Sequence, residues 1–316
     1  MEKKILVTGG CGFIGSHLVE KLVELGREVV VFDNLSKDKP ENVLVLEDSS
    51  KLKLIEGDLL DSGRLDEAIG DCGLVFHLAA NPQANIGYSD TEVDFQQNIV
   101  ATRNLLETMR KSCCAKTLIF ASTSTVYGDA TEIPTSEDYG PLLPVSLYGA
   151  SKLCCEALIS AYASLFGIKA TVYRFANVVG PRGHGVIQDL LHKLQANPRE
   201  LEVLGDGTQT KSYMYIDDCI DAMLFGLEHS TEIMSVFNIG SDDQISVRDI
   251  VGLIMEEMKL RDVQVRYTGG VDGGRGWRGD VKNMMLNSNK IRKAGWTPRY
   301  GSEASIKLTV KANLKH

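Results

Sequence analysis

Residues 5–25 read ILVTGGCGFIGSHLVEKLVEL, an apolar run followed by a glycine-rich turn and a stretch of helical periodicity. A strand, a glycine turn and a helix in this order form a cradle for a pyrophosphate, because backbone N–H groups and the helix N-terminus converge on one anion. Gly9, Gly12 and Gly15 are spaced three residues apart, unlike the G-x-G-x-x-G pattern of the dehydrogenase fingerprint. Glycine also serves any tight turn, so the stretch predicts a dinucleotide-binding domain only together with the strands that follow.

The second and third predicted strands end in carboxylates. Residues 28–32 read EVVVF and lead into Asp33, where an acidic side chain can accept hydrogen bonds from the ribose of an adenine nucleotide. A carboxylate here repels a 2′-phosphate, so the sequence predicts NAD rather than NADP. Asp58 follows the third strand and is equally compatible with a nucleotide contact and with a cap of the next helix. The fourth strand ends in the small residues Ala79 and Ala80, which let a cofactor approach the backbone.

The composition is typical of a soluble globular protein. The 316 residues are 43% hydrophobic and 24% charged, which is enough for one extended α/β unit or two domains. No apolar run approaches ~18 residues and the first strand starts near the N-terminus, so we expect no signal peptide, no membrane span and a cytoplasmic location. The formal net charge is −8 without a lysine or arginine block, which argues against nucleic acid as a partner.

The cysteines predict neither a disulfide framework nor a metal site. The seven residues include the vicinal pairs Cys113-Cys114 and Cys154-Cys155, their number is odd, and no C-x-x-C motif occurs. This usage fits reduced thiols that serve as small apolar residues. We therefore expect no bound metal ion.

Strand and helix patterns alternate through residue 180, which predicts parallel strands joined by right-handed crossovers. The predicted strands lie near 4–8, 28–33, 52–56, 74–78, 116–121 and 169–175, and the predicted helices near 13–26, 62–70, 91–112 and 147–166. The predicted fold class is therefore α/β, a doubly wound parallel sheet of Rossmann type with a smaller, discontinuous α/β substrate-binding cap.

After residue 180 the pattern breaks into shorter pieces. Helices are predicted near 186–196 and 216–229, and a strand at 236–239 is able to return to the main sheet. Residues 1–179 plus about 216–239 are predicted to form the NAD-binding domain. Residues about 180–215 plus 240–316 are predicted to form the second domain, which binds the substrate.

Tyr148 and Lys152 stand four residues apart in a predicted helix, which places a phenol and an ammonium one turn apart on one face. A phenol with a pKa near ~10 is a poor base at neutral pH, but a neighbouring ammonium and an oxidised nicotinamide both stabilise the phenolate. The strand that begins at residue 118 leaves hydroxyls at its carboxyl end, among them Thr123, which can share a proton with the phenol. Each motif alone is also compatible with ordinary structure, as a half-buried tyrosine or a capping turn.

Together these motifs resemble the extended short-chain dehydrogenase/reductase family and, within it, the nucleotide-sugar epimerases. The resemblance covers nearly the whole chain, in TGGCGFIG (8–15), Asp33-Asn34, GDL (57–59), HLAA (77–80), Asn98, STSTVYG (122–128), Tyr148-x-x-x-Lys152, RFAN (174–177), GDGTQT (205–210) and Gly279-Asp280. It implies an NAD-dependent 4-epimerase that interconverts UDP-glucose and UDP-galactose through a transient 4-keto sugar. Epimerases of UDP-N-acetylhexosamines or of another nucleotide-sugar, and nucleotide-sugar reductases, are the alternatives.

The resemblance also implies roles for individual residues. The implied catalytic residues are Tyr148 as the base, assisted by Lys152 and Thr123. The implied cofactor-binding residues are Gly9, Gly12, Phe13, Ile14, Gly15, Asp33, Asn34, Asp58, Leu59, Leu78, Ala79, Ala80, Asn98, Ser122, Tyr148, Lys152 and Phe175. The implied substrate-binding residues are Thr123, Asn177, Val186, Ile187, Leu204, Lys211, Arg275 and Asp280.

Several positions separate this chain from other members of the family. Dehydratases carry Asp-Glu directly after the catalytic threonine, and UDP-glucuronate decarboxylases carry Glu at the second of these positions, where this chain has Ser124 and Thr125. Neither hydroxyl replaces a carboxylate, so only a hydride and one proton are expected to move. A family arginine of the cap is Lys211 here, a point charge instead of a bidentate fork. A second arginine falls near Arg275 and Arg278, and we favour Arg275.

The family often forms homodimers through two helices, which correspond to residues 91–112 and 147–166 of this chain. Apolar positions there, such as Leu153, Leu158 and Ile159, equally suit an ordinary core. A non-catalytic protein built on the same fold is the interpretation from a different functional class. The presence of the full catalytic set argues against it.

Overall fold

The structure is a computed structural model that describes residues 4–37, 39–44 and 50–314. Its contacts divide the chain into two compact units. The first unit comprises Met1–Thr123, Leu147–Arg174 and Met223–Phe237, and the second unit comprises Ser124–Ser146, Phe175–Ala222 and Asn238–His316.

The observed secondary structure follows the predicted alternation closely. The strands are β1 (Ile5–Thr8), β2 (Val29–Asp33), β3 (Leu52–Glu56), β4 (Leu74–His77), β5 (Thr117–Thr123), β6 (Lys169–Phe175), β7 (Asn177–Val179), β8 (Glu200–Val203), β9 (Thr210–Lys211), β10 (Tyr213–Tyr215), β11 (Met234–Ile239), β12 (Ile245–Ser246), β13 (Gln264–Tyr267) and β14 (Asn283–Met284). The helices are α1 (Phe13–Glu24), α2 (Glu41–Leu44), α3 (Ser62–Ile69), α4 (Thr91–Asp94), α5 (Ala101–Lys111), α6 (Leu147–Phe166), α7 (Val186–Ala196), α8 (Ile216–His229), α9 (Val247–Glu257), α10 (Asn289–Ala294) and α11 (Ser302–Leu314). The helix predicted over 91–112 is interrupted by a π-helical turn at Phe95–Val100, which separates α4 from α5.

The main sheet has seven strands in the order β11-β6-β5-β4-β1-β2-β3. The pairings of β2 with β3, β1 with β2, β1 with β4 and β4 with β5 are parallel. The chain runs outward in one direction from β1 to β3 and then restarts with β4 on the other side of β1. In such sheets ligands bind at this switch point, outside the carboxyl ends of the strands. The predicted doubly wound sheet is confirmed, and the strand predicted at 236–239 returns to its edge as β11.

The core of the first unit is built from the strands of the main sheet and the helices that cover it. Leu6, Phe32, Leu105, Leu118 and Phe120 are among its completely buried side chains. Burying an apolar side chain of this size contributes about 1.5–3 kcal/mol relative to leaving it in water. The core therefore holds the strand ends that carry the glycine turn in a fixed position.

The second unit has an apolar core of its own. This core packs α7, α9 and α11 against short strands, and β8 pairs in parallel with β13. Residues 124–146, 175–179, 216–222 and 238–239 belong to this unit, although the sequence predicts them in the NAD-binding domain. For 124–146 the reason is hydrogen bonds to the backbone of Thr135: Thr135 N donates to Met285 O at 2.9 Å, and Asn238 Nδ2 donates to Thr135 O at 2.9 Å.

Two further observations concern the described part of the chain. No helix there has the length and apolar character needed to span a bilayer. No group of three or more His, Cys, Asp or Glu side chains there is arranged to hold a metal ion. None of the seven cysteines, all of which lie in the described ranges, takes part in a disulfide bond.

A buried ion pair ties α6 to the sheet. Arg174 of β6 donates to the carboxylate of Glu156 at 2.7 Å from Nη2 and at 3.1 Å from Nε. The two side chains are only 7% and 6% exposed, and the Ser122 hydroxyl at the end of β5 donates to the same carboxylate. The position of α6 relative to the carboxyl ends of β5 and β6 therefore depends on this pair.

Removing one partner of this pair is predicted to cost much stability. We expect Glu156→Ala to lower the free energy of unfolding by about 3–5 kcal/mol, because it leaves the Arg174 guanidinium buried without a counter-charge. The double substitution Glu156→Met with Arg174→Met is the matched control and is expected to lose less than either single change. Urea denaturation of the three variants measures this, and single variants within about 1 kcal/mol of the parent would contradict it.

Candidate active site

The turn between β1 and α1 is built to receive an anion. Gly12 caps α1 with an extended backbone (φ −69°, ψ 178°), no side chain caps the helix, and its first turn has no acidic residue. A helix N-terminus without a side-chain cap or a nearby acidic residue is suited to hold an anion. A Cβ on Gly15 would fall on the Gly9 carbonyl oxygen, and a Cβ on Gly9 (φ +67°) would lie 2.6 Å from Ala79 N. Only glycine allows this approach of turn, helix and β4 end, which is the cradle that a dinucleotide pyrophosphate requires.

Asp33 is fixed at the end of β2 beside this turn. Its Oδ2 accepts from Cys11 N at 2.9 Å and its Oδ1 accepts from Leu35 N at 2.9 Å. Each carboxylate oxygen retains acceptor capacity for a further donor such as a ribose hydroxyl. Asp58 accepts from Asn34 Nδ2 at 2.9 Å through Oδ2 and from Leu60 N at 2.9 Å through Oδ1. The structure thus gives Asp58 a turn-capping role and a contact with Asn34, which is itself a predicted cofactor residue.

The remaining predicted cofactor residues of the first unit lie around the same strand ends. Ile14, Asn34, Leu78, Ala79 and Ala80 are half-buried, and Phe13 and Leu59 are buried. His77, at the end of β4, is hydrogen-bonded to Thr8 Oγ1 at 2.8 Å and to Thr102 Oγ1 at 3.0 Å. Burial lowers the pKa of His77 to about 3, so this ring is neutral and links β1, β4 and α5.

Tyr148 and Lys152 share one face of α6, which also carries core positions. Lys152 is 2% exposed, and its Nζ donates to Ala121 O at 2.9 Å and lies 4.7 Å from the centre of the Phe120 ring. Burial lowers the pKa of Lys152 to about 8, so the ammonium form still predominates at pH 7. Withdrawal from water raises the pKa of Tyr148 to about 12, and the charge of Asp94 adds to this. In the chain alone the phenol is protonated, so it needs added positive charge nearby to act as a base.

Thr123 ends β5 and is 9% exposed, next to Ser122. The Ser122 hydroxyl donates a hydrogen bond to Glu156. A cofactor that contacts Ser122 therefore meets its backbone or the hydroxyl oxygen as an acceptor. Asn98 lies in the π-helical turn, where its Oδ1 accepts from Asn81 N at 2.9 Å and its Nδ2 donates to Ser151 Oγ at 2.8 Å. Asn98 therefore contacts the helix segment between Tyr148 and Lys152.

Sequence reasoning missed three polar residues that hold this arrangement. Asn81, Asp94 and Glu156 are 6%, 1% and 5% exposed. Asn81 donates a hydrogen bond to Asp94, and Glu156 accepts one from Arg174. The available signal was their spacing, because Asp94 precedes Asn98 by four residues and Glu156 follows Lys152 by four. On a helix that spacing places two side chains on one face.

The second unit brings three of its predicted substrate residues together. Lys211 Nζ pairs with Asp280 Oδ1 at 2.6 Å. Arg275 donates to the Asp280 backbone oxygen and, in a bidentate arrangement at 3.0 Å from each nitrogen, to the carboxylate of Asp129. The Arg275 side chain is 19% exposed, whereas that of Arg278 is 60% exposed and lies 4.0 Å from an Asp272 oxygen.

The other predicted residues of the second unit divide into surface and core. Asn177 is half-buried with Nδ2 donating to Ser212 O at 3.2 Å, and Leu204 is 51% exposed. Val186 is half-buried at the start of α7. Ile187 and Phe175 are 2% and 5% exposed, and Ile187 packs into the apolar core of this unit. The structure therefore gives Ile187 a packing role, which the sequence did not separate from ligand contact.

Comparison with known proteins places these features in a family. The model of the NAD dependent epimerase/dehydratase family matches residues 5–240. A putative UDP-glucose 4-epimerase of Methanocaldococcus jannaschii is 34% identical over 313 residues, which are 97% of each chain. A UDP-N-acetyl-alpha-D-glucosaminuronate decarboxylase of Bacillus cytotoxicus is 35% identical over 261 residues, 79% of this chain and 78% of the relative.

Solved structures give the same picture over the whole chain. A crystal structure of a UDP-galactose 4-epimerase is 42% identical with a TM-score of 0.87, covering 99% of both chains. UDP-glucuronic acid 4-epimerase from Bacillus cereus, in complex with UDP-glucuronic acid and NAD, is 30% identical with a TM-score of 0.89 and the same coverage. UDP-N-acetylglucosamine 4-epimerase from Methanobrevibacter ruminantium is 28% identical with a TM-score of 0.88, also covering 99% of both chains.

Proposed function

Because the chain belongs to the NAD-dependent epimerase/dehydratase family, we propose that it is the member that interconverts UDP-glucose and UDP-galactose at C4. The relatives that match the chain over nearly all its length support the activity of a nucleotide-sugar epimerase. The cofactor is NAD, as the glycine cradle and the fixed Asp33 carboxylate predict.

The observation that carries the proposal is the pairing of Tyr148 with a buried Lys152 on α6, next to the hydroxyls that end β5. When bound, NAD supplies an acceptor that takes a hydride from the sugar and later returns it. Tyr148 accepts the proton of the sugar 4-hydroxyl, and Thr123 polarises or relays that proton. Lys152 supplies positive charge that favours the phenolate.

The residues after Thr123 favour epimerisation over other reactions of the family. Elimination or decarboxylation needs an additional acid or base beside the sugar, and this chain has Ser124 and Thr125 there. This argues against the activity in the name of the decarboxylase relative, despite its 35% identity. Inversion at C4 needs only one hydride and one proton to leave and return, and Tyr148 suffices for the proton.

The proposed proton transfer predicts that the Tyr148 hydroxyl is indispensable. Purified protein is expected to convert UDP-galactose to UDP-glucose, and Tyr148→Phe is expected to lower kcat by roughly 10²–10⁴-fold, the usual contribution of a positioned base. Tyr162→Phe is the matched control, because Tyr162 lies on the same helix and its hydroxyl bonds only Glu107 among the described contacts. Chromatographic separation of the epimers measures both.

Two results of that assay would contradict the proposal. The first is no conversion of UDP-galactose even with added NAD, while NAD binding is intact. The second is equal activity of Tyr148→Phe and the parent. Parallel assays with UDP-N-acetylgalactosamine and UDP-glucuronic acid test the alternative substrates that the related structures name.

We propose that Lys211 and Arg275 grip the substrate diphosphate in the second unit. Both are held near Asp280, and Arg275 is oriented by Asp129, whereas Arg278 is largely exposed. A charge-assisted hydrogen bond is worth about 1.5–3 kcal/mol, so we expect Arg275→Ala to raise KM for the UDP-sugar by about tenfold or more. Arg278→Ala is the control and is expected to change KM less than about threefold. The reverse order in steady-state kinetics would assign the role to Arg278.

We also propose a homodimer in which the exposed face of α6 contacts a second copy of the chain. Leu158 and Tyr162 are half-buried and Leu165 is 72% exposed, at spacings that form one stripe on the helix, while Ile159 belongs to the core. Light scattering of the parent is expected to give twice the mass of the chain. Leu165→Lys is expected to give one chain mass, and Leu25→Lys, at another exposed leucine, to leave the mass unchanged. A parent of one chain mass would contradict this.

A cytoplasmic location stays a prediction. Seven cysteines without a disulfide bond among the described residues agree with a reducing compartment.

A further inference from the structure

Asp94 is a buried carboxylate that the proposed proton transfer does not use. It is 1% exposed, at the junction of α4 and the π-helical turn. Its Oδ1 accepts from Asn81 Nδ2 at 2.9 Å and from Asn98 Nδ2 at 3.3 Å. Its Oδ2 is buried and has no hydrogen-bond partner among the described residues. Within the described part of the chain, only one of the two carboxylate oxygens therefore accepts a hydrogen bond.

The protein leaves little room around this oxygen. A Cβ at Gly87 would lie 2.8 Å from Asp94 Oδ2 and 3.0 Å from Leu147 Cβ. The turn that contains Gly87 thus packs directly against both the carboxylate and the start of α6.

Stability does not account for a charged residue at this position. Burial raises the pKa of Asp94. At a pH above the ordinary pKa of an aspartate, the ionised carboxylate therefore lowers the stability of the folded state. An asparagine would keep an acceptor for Asn81 and Asn98 and would avoid the buried charge. A group that costs stability and is close to a reactive pair is a candidate for a functional role.

Asp94 is connected to the catalytic pair by contacts and by charge. Asn98, which donates to Asp94, also donates to Ser151 Oγ at 2.8 Å, and Ser151 Oγ donates in turn to Tyr148 O at 2.8 Å. The Asp94 charge raises the pKa of both Tyr148 and Lys152. The other titratable groups that face the pair are His77 from β4 and Cys155 and Glu156 from α6.

We propose that Asp94 is a positioning residue: its buried carboxylate holds Asn98 against the turn of α6 that carries Tyr148 and Lys152, and it adds a negative charge that acts on this pair. This inference rests on the proposed function in taking Tyr148 and Lys152 as the reactive pair. Besides the Phe120 ring, one carbonyl and the charge of Glu156, the charge of Asp94 also favours the Lys152 ammonium that the phenolate needs. Burial strengthens this interaction, because the protein interior screens charges less than water does.

The first test measures Lys152 directly and does not depend on turnover. Lysine labelled with ¹³C at Cε is titrated by NMR in the parent, in Asp94→Asn and in Glu92→Gln, with Lys152→Met assigning the resonance. Glu92 is the matched control, because it is an exposed carboxylate on the same short helix. We expect the midpoint of Lys152 to move to lower pH in Asp94→Asn and to stay unchanged in Glu92→Gln. The melting temperature of Asp94→Asn at pH 7.5 is expected to equal or exceed that of the parent.

The second test measures kcat against pH with the UDP-sugar that the parent converts. Loss of the Asp94 charge lowers the pKa of both the phenol and the ammonium, so the acidic and basic limbs are both expected to shift to lower pH. A merely structural role would lower kcat without moving either limb. An unchanged Lys152 midpoint, or an Asp94→Asn protein that fails to fold or melts lower than the parent, would overturn the proposal. A parent without activity would instead contradict the proposed function, while the NMR result would still decide the role of Asp94.

Discussion

The candidate site depends on the burial of one cation, Lys152, beneath the carboxyl end of β5. Its ammonium keeps one carbonyl partner and one aromatic face, and burial has already lowered its pKa to about 8. A buried ammonium of this kind persists only where neighbouring charges and dipoles offset the loss of water. The surrounding structure therefore has to provide carboxylates at fixed positions. Glu156 on α6 and Asp94 before the π-helical turn do so.

The same constraint explains why α6 is tied so firmly to the sheet. Its inward face carries Lys152 and Glu156 into the interior at positions that apolar side chains occupy in an ordinary helix. Arg174 and Ser122 satisfy Glu156, and Ser151 with Asn98 satisfies the polar groups on the preceding turn. These bonds form two polar clusters on α6 within the first unit. Buried polar clusters of this kind restrict a helix to one arrangement, which proton transfer requires.

Much of this was predictable from sequence, and the limits have physical causes. The strands of the main sheet and helices α6, α7 and α8 follow from long periodic stretches of sequence. The glycine cradle follows from the spacing of glycines between the first strand and the first helix, where the backbone leaves no room for a Cβ at Gly9 or Gly15. The π-helical turn at Phe95–Val100 leaves no signal in periodicity, because one extra residue per turn is hidden inside an otherwise helical pattern. Residues 124–146 were misassigned because their grouping depends on hydrogen bonds to residues more than a hundred positions away. Asp94 and Glu156 belong to no motif, and their spacing from Asn98 and Lys152 becomes informative only once their burial is known. In the second unit, Ile187 illustrates that an apolar residue in a predicted ligand segment cannot be separated from core without coordinates.

The central claim is that the sugar is transiently oxidised at C4 and that the same hydrogen returns to that carbon. The most direct measurement uses UDP-galactose carrying deuterium at C4, incubated with the purified protein and followed by NMR of the UDP-glucose formed. Full retention of deuterium at C4 of the product is the result that this account predicts. UDP-glucose formed with hydrogen from solvent at C4 would contradict it, because the proton handled by Tyr148 belongs to the hydroxyl and never to the carbon.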